Sequence, residues 1–145
     1  MDQKALFQQL LSFVAAVSQT KHDLSKNIPI EYLTPAQYGI LELVAFDQPV
    51  TLSEISDCRD MSMPNASREL KKLLDKELCI KYSAPEDRRK QYICLSPQGE
   101  QLMEGVLAHI GGQVSERLKG ADGEQLRQIS SAMELLQKTV FRTKE

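Results

Sequence analysis

The sequence predicts a mainly α-helical chain with a small β-hairpin wing: a winged helix-turn-helix flanked by N- and C-terminal dimerisation helices. Three observations point there. Between Ile80 and Leu95 the apolar pattern switches to a period of two, with Arg88, Arg89 and Lys90 between the two halves and a helix start at Ser96-Pro97 directly afterwards. The helical stretch just before it carries Arg68, Lys71 and Lys72. A short helix from Leu52 to about Cys58 precedes that stretch, the order a helix-turn-helix needs.

Each element has its own warrant. Leu6, Leu10, Leu11, Phe13, Val14 and Val17 form an amphipathic N-terminal helix ending near Lys26, where Asn27-Ile28-Pro29 interrupts it. Thr34-Pro35-Ala36-Gln37 joins a capping Thr, a first-turn Pro and a Gln three residues after the cap, opening a helix that runs to Phe46. Asp47-Gln48-Pro49 ends it, and Thr51-Leu52-Ser53-Glu54 is a second capping box. The next helix runs from about Met63 to Glu77. Ile80 and Tyr82 then alternate with Lys81 and Ser83, while Gln91, Ile93 and Leu95 alternate with Tyr92 and Cys94. Pro85 and the charged run between them are expected at the hairpin tip. A long helix follows from Pro97 toward Lys119, interrupted by Gly105, Gly111 and Gly112, the last two a candidate hinge. Asp122 and Gln125 open the last helix, where Leu126, Ile129, Met133, Leu136 and Val140 repeat at helical spacing.

The expected division is residues 1–32 as a dimerisation helix and linker, 33–96 as the winged helix-turn-helix, and 97–145 as further dimerisation helices. A winged helix of this size cannot cover the apolar stripes at both ends, which argues for a second copy.

The chain has 145 residues, 41% of them hydrophobic, so a core can form. Its net charge of −2 is unevenly spread: residues 62–90 carry a net +3, leaving −5 elsewhere. An acidic body with one basic face orients a polyanion. The apolar runs are too short to span a bilayer and no leader pattern opens the chain, so a cytoplasmic protein without a membrane partner is expected.

Viewed as a wheel, the Met63–Glu77 helix places Met63, Ala66, Leu70, Leu73 and Leu74 toward the core. Asn65, Arg68 and Lys72 collect opposite, with Ser67 and Lys71 on a flank, and Ser62 caps the helix or donates to a phosphate. Asn reads adenine and Arg reads guanine in two places each, as a helix in a major groove requires. A basic wing (Arg88, Arg89, Lys90) suits a narrow minor groove, with Asp87 bracing a neighbouring guanidinium. Double-stranded DNA is the expected partner. A winged-helix protein-interaction module without specific DNA binding is the alternative.

Cys58, Cys79 and Cys94 read as reduced thiols, with a redox role open at Cys58. His22 and His109 lack metal-binding spacing, and no nucleophile–base pair or phosphate loop is present, so no cofactor, metal or enzymatic activity is expected.

Leu33-Thr34-x-x-Gln37-Tyr38-x-Ile40-Leu41 and Asp87-x-Arg89-x-x-x-Ile93-x-Leu95-Ser96-x-x-Gly99 resemble two motifs of the MarR (multiple antibiotic resistance regulator) family, and the likeness extends over nearly the whole chain. The resemblance implies a homodimeric transcriptional repressor on a pseudo-palindromic operator. It places Ser62 to Lys72 in the major groove and Arg89 in the minor groove. It also implies release by a small-molecule inducer near the junction of dimer and DNA-binding regions. Glu77 stands where the family often has Gly, and the N-terminal helix lacks the cysteine of its oxidant sensors.

Overall fold

The computed structural model describes residues 1–26, 28, 30 and 32–141. Its elements are α1 (Gln3–Ser25), α2 (Pro35–Asp47), α3 (Leu52–Cys58), α4 (Met63–Asp75), β1 (Cys79–Ala84), β2 (Asp87–Leu95), α5 (Pro97–Arg117) and α6 (Gly123–Thr139). Residues 1–110 form one compact unit and residues from 111 onward a second, so the winged helix lies wholly within the first. No helix among the described residues is long and apolar enough to cross a membrane.

Short-range chemistry sets the helix starts. Thr34 and Gln37 exchange side-chain and backbone hydrogen bonds, as do Thr51 with Glu54 and Asp122 with Gln125. Ser62 Oγ accepts the Asn65 N–H at 3.2 Å, and Ser96 Oγ accepts the Gly99 N–H at 2.9 Å. Each cap satisfies amides a helix leaves unpaired and is worth about 1 kcal/mol.

In the first unit Ile40, Leu41 and Val44 of α2 meet Ile55 of α3, Leu70 and Leu73 of α4, Ile93 of β2 and Met103 of α5 in one buried cluster. Val50 adds a short third rung to the hairpin: it and Ile93 exchange backbone hydrogen bonds at 3.0 and 2.7 Å. Gln48, capping the end of α2, then reaches two elements. Its carboxamide oxygen accepts the Leu95 N–H at 2.9 Å, and its amide donates to Glu100 at 3.1 Å.

Several expectations need correction. On α4, Ala66, Leu70 and Leu73 are buried and the half-buried Leu74 packs against the same core, but Met63, in the first turn, is 46% exposed. The helix also stops at Asp75. Glu77 takes a left-handed φ of 60°, so this chain makes the turn without the customary glycine. The hairpin tip is Pro85-Glu86 alone, and the charged run belongs to β2. Asn27 and Pro29 of the expected interruption lie outside the described residues. The helix α5 passes through Gly105, Gly111 and Gly112 unbroken, and a Cβ at any of them would meet nothing within 4 Å.

The outer helices are different in kind. None of the residues of α1 or α6 is buried. On α1, Leu6, Phe7, Leu11, Val14 and Val17 stand in solvent, and on α6 so do Leu126, Ile129, Met133 and Leu135.

Candidate nucleic-acid interface

Helix α4 and its N-cap carry six of the candidate residues. The Ser62 oxygen serves as its N-cap, leaving the O–H free to donate elsewhere. Asn65 is half-buried in the first turn, while Ser67, Arg68, Lys71 and Lys72 are exposed. Lys72 is tied to Glu69 at 3.2 Å. The helix thus offers solvent three cations in two turns, behind a positively polarised N-terminus.

The three wing cations owe their place to an irregular ladder. Ser83 pairs with Gln91 but its neighbour Ala84 pairs with Asp87, so Arg88, Arg89 and Lys90 have no counterparts on β1. They bulge from the hairpin next to its tip, and all three are exposed. Bulges re-aim side chains away from a sheet. Asp87 accepts both the backbone N–H of Arg89, at 3.0 Å, and its Nε, at 3.4 Å. An exposed pair of this kind contributes little stability but limits where the guanidinium points.

A polar cluster that the pattern of residues did not reveal lies beside the basic face. Gln37 of α2 is 4% exposed, and its amide donates to Glu69 at 3.2 Å while its oxygen accepts from Lys76 at 3.1 Å. Lys76 also donates to the Tyr32 carbonyl at 2.7 Å. Burial alone would raise the Glu69 carboxyl. The hydrogen bonds from Gln37 and Lys72, with the charges of Lys72 and Arg68, outweigh burial and hold it below the usual carboxylate range. Arg59 is a second unforeseen residue: its guanidinium lies against Gly39 of α2, with a buried Nε that has no hydrogen-bond partner.

The opposite side of α2 faces an apolar groove of about 490 Å³ between α1, α2 and the first part of α5. Phe13, Val17, Tyr38, Phe46, Met103 and Leu107 are among its lining residues, and Lys21 and Glu42 pair at 3.3 Å on its wall. The Tyr38 hydroxyl is buried without a hydrogen-bond partner. Burial, then the nearby Glu42 carboxylate, pushes its phenol well above the ordinary range.

The cysteines are free: Cys58 exposed, Cys79 buried, Cys94 half-buried. Cys79 pairs with Leu95 and Cys94 with Ile80, so the two sit on opposite faces of the hairpin. Burial pushes the Cys79 thiol up to about 12. Among the described residues no three of His, Cys, Asp and Glu gather as metal ligands.

The MarR family model matches residues 33–90, the winged helix. An HTH-type transcriptional regulator of Staphylococcus aureus is 39% identical over 70 residues, 48% of each chain, so the match covers about half that relative's length. The S. aureus regulator TcaR is 26% identical over 129 residues, 84% of each chain. Two solved structures share the fold. S. aureus MarR in complex with salicylate and kanamycin superposes with a TM-score of 0.71 at 23% identity, over 97% of this chain and 95% of that one. A transcriptional regulator from Thermotoga maritima gives 0.69 at 18% identity, over 96% and 99%. The stretch from the start of α2 into β2 is thus similar to the MarR family of transcriptional regulators, and the fold of the solved structures extends along almost the whole length of the chain.

Proposed function

We propose that the chain is a homodimeric repressor that binds a pseudo-palindromic DNA operator and is released by a small molecule. The observation that carries the DNA reading is the pairing of an exposed cationic face on α4 with a wing whose three cations stand clear of the ladder. Ser62, Asn65, Ser67 and Arg68, at and near the start of α4, meet base edges and phosphates in the major groove, and Lys71 and Lys72 meet phosphates. Arg88, Arg89 and Lys90 follow the neighbouring minor groove. Fold and family are those of regulators rather than enzymes.

Dimerisation is supported by α1 and α6, whose apolar side chains are exposed in the single chain. On this reading residues 1–32 and 97–145 build the dimer and 33–96 read DNA, with half-sites about 10 bp apart. A groove of about 490 Å³ with largely apolar walls fits a small amphiphile, and it touches α2, which carries the DNA-facing helix on its other side.

The test is fluorescence anisotropy with DNA from the gene's own upstream region, across a salt series. Tight binding that falls steeply with salt and exceeds that to scrambled DNA is expected. One observation favours the second reading, a protein-interaction module: Ile80 and Tyr82 expose 47% and 43% of their surface on one face of the wing. A folded dimer with no salt-dependent DNA binding would establish it instead.

A further inference from the structure

Glu69 presents a contradiction, since an acid midway along a helix that approaches phosphates should weaken every contact around it. Its surroundings resolve this. The side chain lies on the flank of α4 between the buried Leu70 and Leu73 stripe and Lys72, 15% exposed. Its two oxygens have separate tasks. Oε1 accepts from the Lys72 ammonium at 3.2 Å, and Oε2 accepts from the Gln37 amide at 3.2 Å. Gln37 is itself held, because its oxygen accepts from Lys76 at 3.1 Å and from the Thr34 N–H at 3.3 Å. A continuous chain of hydrogen bonds therefore runs from the start of α2 through a buried amide to a cation on the exposed face.

We propose that Glu69 and Gln37 are positioning residues for DNA recognition: Gln37 fixes Glu69 against α2, and Glu69 holds the Lys72 ammonium at the angle the operator requires. The inference rests on the DNA-binding reading above. Lys72 has a long, flexible side chain that would otherwise sample many rotamers, and ordering it in advance lowers the cost of docking. A random duplex, met in many registers, draws little benefit from one fixed angle. The arrangement therefore favours specificity over bulk affinity.

The sign of the effect separates this from plain electrostatics. Removing an acid beside phosphates should, by charge alone, tighten binding to any duplex. Positioning makes the selected site weaker. In Glu69→Gln the amide offers one acceptor where two are used, and turns its NH2 toward either Gln37 or Lys72, both of them donors.

The experiment uses a duplex selected from a random pool by the wild-type protein, and a scrambled duplex, with the full-length chain at one salt concentration. Glu69→Gln is expected to lower the ratio of selected to scrambled affinity about fivefold, with scrambled binding unchanged or tighter. In a Lys72→Met background the same change should have no further effect on the ratio. Gln37→Leu should match Glu69→Gln and not add to it, provided its melting temperature stays near wild type. Glu69→Gln, which keeps the size and shape of the side chain, decides the matter if Gln37→Leu fails to fold. Equal tightening on both duplexes, an unchanged ratio, or the same loss with and without Lys72 would overturn the proposal while leaving the DNA-binding reading intact. Failure of the wild type to select any sequence would overturn both.

Discussion

The backbone carbonyl of Leu78 occupies the space that a β-carbon on Gly99 would need. That carbonyl accepts the Ser96 N–H at 3.0 Å, and Ser96 caps the helix to which Gly99 belongs, so the joint between α4, wing and α5 is built from backbone that cannot retreat. Gly99→Ala should cost about 1–3 kcal/mol, seen as a fall of roughly 3–10 °C in melting temperature. Gly39→Ala is the control. The nearest atoms its methyl would meet belong to the Arg59 guanidinium, the far end of a flexible side chain, so a smaller loss is expected. Equal losses would mean the Leu78 backbone moves freely.

Tyr38→Phe should leave stability unchanged or raise it. The hydroxyl is buried beside the Glu42 carboxylate without a well-formed hydrogen bond, so removing it ends a desolvation cost at the loss of at most a weak contact to Glu42. Thermal melting checks this, and a clear drop would mean the hydroxyl has a partner in solution.

On the reading helix, Arg68→Ala should weaken the operator far more than scrambled DNA, because a lost bidentate contact to a base costs about 1–3 kcal/mol. Lys71→Ala should weaken both alike and reduce the slope of log affinity against log salt by about 0.9. Both residues are exposed, so neither change should disturb folding. Identical behaviour of the two variants on both duplexes would remove the division between base and phosphate contacts.

In the wing, Arg89→Ala should reduce affinity about tenfold for operators with narrow A·T flanks and much less for G·C flanks, since narrow grooves concentrate negative potential. Binding assays with flank-swapped duplexes measure the difference. No dependence on the flank would move Arg89 out of the groove.

Thiol titration at pH 8 should find Cys58 reacting fast, Cys94 slowly, and Cys79 only on denaturation. Cys58 is exposed, whereas the Cys79 thiol is both buried and raised to about 12, which leaves almost no thiolate. Cys94 is raised as well, by burial first and the Glu100 carboxylate second.

The elements were legible in the sequence because short-range chemistry specifies them. Thr34, Thr51 and Asp122 announce helix starts through partners three residues away, and the switch from helical spacing to strict alternation marks the hairpin. The turn after α4 was not readable: the helical spacing carries on to Glu77, and only the structure shows Glu77 itself in the left-handed conformation. The other misses came from long-range geometry. Gln37 showed its local role in a capping box but not its bond to Glu69, which lies 32 positions away. Alternation along β2 could not reveal that Arg88, Arg89 and Lys90 lack partners, because that depends on where Ala84 finds its own. The apolar groove was likewise invisible residue by residue, its lining coming from three separate helices.

One consequence concerns α2. Gln37 near its start is bonded to α4, and Gln48 at its end to the base of the wing. Eleven residues separate them, close to three whole turns, so both glutamines project from nearly the same side. This helix is therefore a spacing gauge. A single residue inserted or deleted between the two would swing one of them by about 100° and cut it from its partner. Substitutions along the outer side of α2 leave the gauge intact. During divergence, change in this segment should accumulate as replacements, with its length held constant.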